Sequence, residues 1–384
     1  MKRRTLQYAV LQSCYWIGTC LVYSYAERLL SPYGFQTGTI GLTVACAYLA
    51  AMLLQPVLAA AADCSRRVTL RIAICGCALL AAVLSIGALF GRRSIPVLAV
   101  LFGALSGVTL TAQPLINAVG FDYINRGETL DFSFARGAAS AAYALGSLLL
   151  GVLADWKNES MLVFYLVMNV ALFFAALFFA PHRTNALPQS KSEGSVFSVI
   201  RKYPVFLLFC LGYFVLFIPH NFLNAYLASI TGVTGGNMSV MLAVAAVIEF
   251  PAMTAYTHIR KRISDRVLLL ASAAVFLVKT GLVLFAAFAK PGAWVMYLSF
   301  ALQMISYAIF VPAASYYAND RVQKADQVKG QMLLTESTLL SGVVSMLLGG
   351  LTIQHLGVPT ALILCESLVA AGVLLIAAAV RKRA

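Results

Sequence analysis

Charge is what this sequence has least of. Only 11% of its 384 residues are Asp, Glu, Lys or Arg, far below the roughly one quarter found in soluble globular domains. A chain that is 61% hydrophobic at this charge density cannot dress its surface for water, which excludes an ordinary soluble fold. Acidic groups are scarcer still, 14 against 28 lysines and arginines. Cysteine occurs eight times (Cys14, Cys20, Cys46, Cys64, Cys75, Cys77, Cys210, Cys365), never as a Cys-x-x-Cys pair and mostly inside apolar segments. These thiols read as small core hydrophobes, not as disulfides or metal ligands. The four histidines (His182, His220, His258, His355) are scattered, and no His/Cys/Asp grouping has the spacing of a metal site or an activated nucleophile. Neither GxxxxGK[ST] nor GxGxxG is present, which removes a nucleotide-driven engine. No hydrophilic stretch is long enough for a separate catalytic core, so the expectation is no enzyme, no cofactor and no metal.

What the chain has is apolar length. Cutting at charge clusters and Gly/Pro turns leaves twelve runs of 21 to 27 residues, near 6–29, 38–61, 68–90, 95–119, 133–155, 160–180, 204–230, 237–258, 266–289, 293–318, 330–354 and 358–380. At about 1.5 Å rise per residue, each covers the roughly 30 Å hydrocarbon core with some tilt. Unpaired backbone groups are costly in hydrocarbon, so runs of this length are helices. The expectation is an all-α membrane protein with twelve transmembrane helices. The first run, after MKRR, is long enough to span and lacks a small-residue cleavage site, so it reads as a span and not as a cleaved signal.

The net charge of +14 now finds its cause. Assigned to alternate sides, 22 of the 28 basic residues share one side with the two termini. Five lie opposite (Arg28, Arg92, Arg93, Lys157, Lys290), and Lys279 sits inside a span. Cytoplasmic loops carry the excess of Lys and Arg, so both termini are expected in the cytoplasm, with the chain in a cell or inner membrane. The basic balance is topological, and nucleic acid is not an expected partner.

PHRTNALPQSKSEGSVFSVIRKYP, from Pro181 to Pro204, is the longest hydrophilic stretch and divides the runs six and six. The expected organisation is a bundle over 1–180, a cytoplasmic linker over 181–203 and a second bundle over 204–384. Two echoes relate the halves. PVLAAAADCSRRVTLR from Pro56 and PAMTAYTHIRKRISDR from Pro251 share a proline, a basic pair and a following arginine at an offset of 195; SLLLGVL at 147–153 and SMLLGGL at 345–351 lie 198 apart. They put the second and fifth spans of each half in corresponding positions.

Two six-helix halves in parallel repeat, joined by a central linker, resemble the major facilitator superfamily, whose bundles rock around a midplane site. Within it, DFSFARGAASAAYALGS at 131–147, VIEFPAM at 247–253, Lys279 and VKGQMLLTES at 328–337 are similar to the branch of lactose permease-like and nucleoside-permease-like proton symporters. The resemblance implies that Arg136 and Tyr143 contact substrate, Arg136 reading otherwise as a cytoplasmic-end arginine at the membrane boundary, and that Glu249, before Pro251, and Lys279 belong to the coupling machinery. It also implies a gating loop at Asp63, Arg66 and Arg67, although Ala59 and Arg66 stand where the loop motif has glycines. Departures matter: the helix-four carboxylate that would pair with the arginine is replaced by Asn117–Ala118, and the helix-ten His/Glu pair by SYAIFVP, so a lactose-like specificity is not implied.

Ionisable groups inside a bilayer cost about 2.5–3.5 kcal/mol each on insertion scales and face cavities or partners. Glu249, Lys279, Glu336 and Glu366 qualify. Glu249 lies nine residues before His258, roughly 13 Å into the membrane, and Lys279 is at comparable depth on the next span, so the two are expected to pair. That pair reads either as a static pin or as a proton switch, because burial favours the neutral carboxyl and a nearby ammonium the ionised one; direct substrate contact is a third reading. Glu336 and His220, beside a helix-breaking proline, join the proton-coupling set, whereas Glu366 reads equally as a capped glutamate.

Polar and aromatic residues at helical spacing mark the faces turned from lipid, and in the resembled fold the first and fourth helices of each half line the cavity. Besides Arg136 and Tyr143, the candidate substrate contacts are Thr19, Tyr23, Gln113, Asn117, Asn224, Gln303 and Tyr307; amides and hydroxyls also serve as glue between helices, so packing is the competing reading. The set suits a small polar organic solute of the sugar or nucleoside class. The expectation is a monomeric, lipid-embedded secondary transporter working by alternating access with protons, or sodium in their place. A proton-driven exporter is the alternative within transport, and a membrane receptor or sensor outside it.

Overall fold

The computed structural model describes residues 3–64, 69–180, 201–323 and 326–381, and among these the only regular structure is helical. The first half comprises α1 (Arg3–Ser24), which bends into α2 (Ala26–Leu30) and a 3-10 turn, then α3 (Thr37–Cys64), α4 (Leu70–Gly91), α5 (Ile95–Asn125), α6 (Phe132–Trp156) and α7 (Glu159–Phe179). The second comprises α8 (Pro204–Ala225), α9 (Leu227–Thr234), α10 (Met238–Ile259), α11 (Asp265–Ala289), α12 (Trp294–Ala301), α13 (Gln303–Arg321) and α14 (Gln327–Arg381). Side-chain caps start several of them: Thr69 accepts from the Ile72 amide, Asp131 from that of Phe134, and Asn237 from those of Ser239 and Val240.

Among the described residues, ten helical stretches are long and apolar enough to cross a membrane, not twelve. The difference has two physical sources. α14 holds two of the expected runs in 55 residues; a straight helix of that length would be about 80 Å long, and the chain instead breaks at Gly357, whose φ of 81° only glycine adopts readily. The first run falls short because α1 spends its length on Gln12, Trp16, Thr19 and a series of tyrosines. Most of the expected linker, and with it Arg66 and Arg67 of the expected gating loop, lies outside the described residues; Asp63 falls in the last turn of α3.

The halves engage crosswise. α3 packs on the first part of α14, and α6 on α10, so each half's second span meets the other half's fifth, the two positions the echoes relate. Internal prolines follow the same pattern, Pro56 with Pro251 and Pro114 with Pro312. At the end away from the linker one apolar core runs through both halves, taking in Tyr25, Leu29 and Val44 together with Phe222, Tyr226 and Met241. Toward the linker the core divides, with Tyr8, Ile74 and Ile116 in one body and Phe209, Phe276 and Phe310 in another. There Phe250 covers Gly137 and meets Phe134 edge-on at 6.5 Å.

Hydrogen bonds fasten the far end. Tyr25 donates to the Ser147 carbonyl and shares a hydrogen bond with the Ser239 hydroxyl, both at 2.7 Å, Ser147 donates to the Ser239 carbonyl at 3.0 Å, and the Gly38 amide donates to Gln354 at 3.0 Å. Tyr226, the counterpart of Tyr25 in the second half, donates to the Met346 carbonyl at 2.6 Å.

Candidate functional site

A cavity of ≈ 170 Å³ lies between the halves, walled by side chains from α1, α3, α5 and α6 on one side and α8, α10, α13 and α14 on the other. Two flat aromatic pairs face into it. Trp16 stacks on Tyr23 with ring centres 6.1 Å apart and planes at 14°, and His220 on Tyr307 at 4.7 Å and 12°. Small polar groups hold these rings: Trp16 donates to Gln12 at 3.1 Å, Tyr23 to Gln113 at 3.2 Å, and Asn224 to the His220 carbonyl at 2.9 Å. Tyr143 shares a 2.7 Å hydrogen bond with Ser24. The Arg136 guanidinium lies over the Trp16 ring, 4.1 Å from its centre.

Across the cavity stands the acid. Glu249 accepts from the Gln303 amide nitrogen at 3.0 Å, and the Gln303 oxygen accepts from the Lys279 ammonium. Carboxylate and ammonium therefore do not touch, contrary to what the sequence spacing suggested; one amide, donor at one end and acceptor at the other, joins them. Gln303 opens α13, and at helical spacing it shares the cavity face with Tyr307 one turn on. Lys279 is 1% exposed, packs 5.2 Å from the Phe300 ring centre, and stands behind Gln303 rather than in the cavity wall.

The expected residues divide accordingly. Tyr23, Gln113, Arg136, Tyr143, Asn224, Gln303, Tyr307, His220 and Glu249 line the cavity. Thr19 and Asn117 do not: Thr19 bonds the Trp16 carbonyl at 2.9 Å inside its own bundle, and Asn117 accepts from Gln12 at 3.0 Å. Glu336 lies outside the lining, with one carboxyl oxygen buried and unpartnered, and Glu366 accepts from Thr280 on α11. Ser24, Tyr48, Ser140, Phe217, Asn221 and Thr338 line the cavity without having been expected there. Ser140 was findable, one turn from Arg136 and just before Tyr143; Tyr48, alone in CAYLAAM, had no such signal. A buried carboxylate also went unseen. Glu27, 3% exposed at the far end, accepts from the Ser229 amide at 3.1 Å and from its hydroxyl, and adjacent Arg28 made it look like an ordinary loop charge.

The sequence model described as Major Facilitator Superfamily matches residues 9–333. The chain belongs to the major facilitator superfamily. It is thus a multi-pass membrane transporter, with the cavity where the superfamily's two halves meet. No curated protein sequence matches the chain. Solved structures share its fold at low identity. One is a point mutant of the nucleoside transporter NupG, at TM-score 0.83 and 13% identity, covering 99% of this chain and 100% of that one. Another is a D-xylose-proton symporter, at 0.76 and 12% over 97% and 96%. A third, at 0.73 and 14% over 99% and 96%, is a POT family transporter in complex with a thioalcohol-conjugated peptide.

Proposed function

We propose that this superfamily member is a secondary active transporter that couples the movement of a small polar organic solute, of the sugar or nucleoside class, to protons by alternating access. The observation that carries the reading is the Glu249–Gln303–Lys279 chain at the edge of an aromatic and amide-lined cavity. A titratable group must exchange protons with water in one conformation and be shielded in the other. Glu249 reaches the cavity, and Lys279, through Gln303, answers its charge when ionised. Stacked rings suit the flat or hydroxylated face of a solute, while Gln113 and Asn224 fix its polar edge. The similar folds of a nucleoside transporter and a D-xylose-proton symporter support this solute class.

The far end is fastened across the halves and the core is split toward the linker, so this conformation opens toward the linker. With twelve spans and both termini in the cytoplasm, that is the inward-facing state of a monomer, and a solute taken up from outside leaves on the linker side.

Purified protein in liposomes tests the reading. Under an imposed pH gradient, acid outside, a panel of sugars and nucleosides is expected to contain members that accumulate above their external concentration. Accumulation without regard to the pH gradient, or driven only by sodium, contradicts proton coupling; no accumulation of any member contradicts the solute class.

A further inference from the structure

Arg136, half-buried in the second turn of α6, lines the cavity with no carboxylate paired to it; the acid that feels its charge, Glu249, stands across the cavity. Among the described residues Arg136 has neither a carboxylate within salt-bridge distance nor a hydrogen bond; its one close partner is the Trp16 ring. Other arginines fare differently: Arg28 pairs with Asp155 at 2.9 Å and Arg260 with Asp265 at 2.8 Å. The first half has no acid to offer at this depth, since Gln113 and Asn117 occupy the α5 positions facing α1 and are engaged by Tyr23 and Gln12. The acid across the cavity, Glu249, is hydrogen-bonded by Gln303 with Lys279 behind it, and the Arg136 charge reaches it only through space. Counting Arg136 and Lys279 against an ionised Glu249 leaves one positive charge in excess, and that charge fronts the cavity.

We propose, building on the transport reading, that the solute is an organic anion: a hydroxylated monocarboxylate of about monosaccharide size, its carboxylate held by Arg136. Stacking on a ring answers a cation only weakly, whereas a guanidinium and a carboxylate form two parallel charge-assisted hydrogen bonds. Trp16 therefore acts as a stand-in that keeps the planar fork in place until the anion arrives. The ring is itself fixed by Gln12 and Tyr23, so little freedom is lost on binding. Ser140, one turn along α6, the amide nitrogen of Gln113 and the amide oxygen of Asn224 are left for hydroxyl groups. A neutral polyol would bury the guanidinium with its charge still unanswered.

Matched pairs decide it: gluconate against sorbitol, glucuronate against glucose, and a nucleoside carboxylate against the parent nucleoside, read as ligand-induced thermal shifts of the full-length protein in detergent and as uptake in liposomes. Only the acid of a pair should raise the melting temperature. Arg136→Gln should weaken that binding about 10- to 100-fold while moving the unliganded melting temperature only slightly, because the contact it gives up is the stack on Trp16 and no hydrogen bond. Arg136→Lys, which keeps the charge without the fork, should fall between. Neutral members that match or exceed their acids, or acid binding that survives Arg136→Gln, overturn the proposal. If neutral members alone bind and accumulate, the anion is wrong and the transport reading stands. If acids bind but do not accumulate under a pH gradient, the anion site stands and proton coupling fails. If nothing binds, the anion falls with the solute class.

Discussion

The two halves repeat each other in scaffold and differ in chemistry, most plainly at the residues preceding Pro56 and Pro251. Gln55 on α3 donates to the Leu110 carbonyl on α5 at 3.0 Å; Glu249 on α10 accepts from Gln303 on α13 at 3.0 Å. Each ties the second span of its half to the fourth. The first half does so with a neutral amide sealed inside its own bundle, and the second with an acid that reaches the cavity. Arg136 shows the reverse asymmetry, a cation in the first half's wall without an acid beside it. On the proposed reading, the shared frame carries a fixed positive group on one side and a proton-exchanging acid on the other.

The strongest way to break this division of labour is through the amide that joins acid and ammonium. Gln303→Leu removes a hydrogen bond from each of two charged groups, and an unsatisfied buried partner costs about 1–3 kcal/mol or more when charged. We expect a stability loss of roughly 2–5 kcal/mol with uptake abolished, measured by thermal unfolding and liposome flux. Adding Lys279→Met and Glu249→Gln should restore stability but not uptake, because an absent charge pair is less costly than a broken one.

A smaller effect is expected at the crossing of α6 and α10. A side chain at Gly137 would run into the Phe250 ring, which lies directly over the glycine. Gly137→Ala should slow transport about tenfold by displacing that ring, and Phe250→Ala should restore it in the double variant. Smaller again is the pair of equivalent tyrosines at the far end. Tyr25 binds across to Ser239 and Tyr226 only within its own half, so Tyr25→Phe should favour opening of the far end and Tyr226→Phe should not. One hydrogen bond is worth about 1 kcal/mol, or about a fivefold population change, which labelling of a cysteine introduced at Val44, buried in the core shared by both halves, would register in each background.

The smallest effect lies at the linker end. The Lys202 ammonium, and next the Tyr203 hydroxyl, hold the Asp326 carboxyl below its ordinary value. A carboxyl depressed in the folded state contributes stability above its unfolded value and loses it as pH falls through the folded one. Unfolding scans should therefore show a slight acid sensitivity below about pH 4 that Asp326→Asn removes and high salt weakens.

Much of this was legible before any coordinates. Run lengths and charge placement led to the helical membrane class, and two faint echoes at offsets of 195 and 198 pointed to the spans that now cross-pack. Helical spacing brought most of the cavity wall into view, since 16 and 23 or 136 and 143 must share a face at 3.6 residues per turn. It misplaced Thr19 and Asn117, because spacing alone does not say whether a polar face looks into a cavity or into its own bundle. Nor did it show Gln303 between Glu249 and Lys279. Depth counted along two helices suggested contact, but it does not show that a side chain from a third helix, Gln303 of α13, fills the gap between them.

Protons counted beside solute test the central claim most directly. In weakly buffered liposomes, adding a transported solute outside should alkalinise the medium with wild type, and the solute should still exchange but move no protons with Glu249→Gln. With Arg136→Gln, neither should occur at the same solute concentration. Solute-driven alkalinisation that persists in Glu249→Gln would contradict the account, leaving Glu249 a structural group and the proton carried elsewhere.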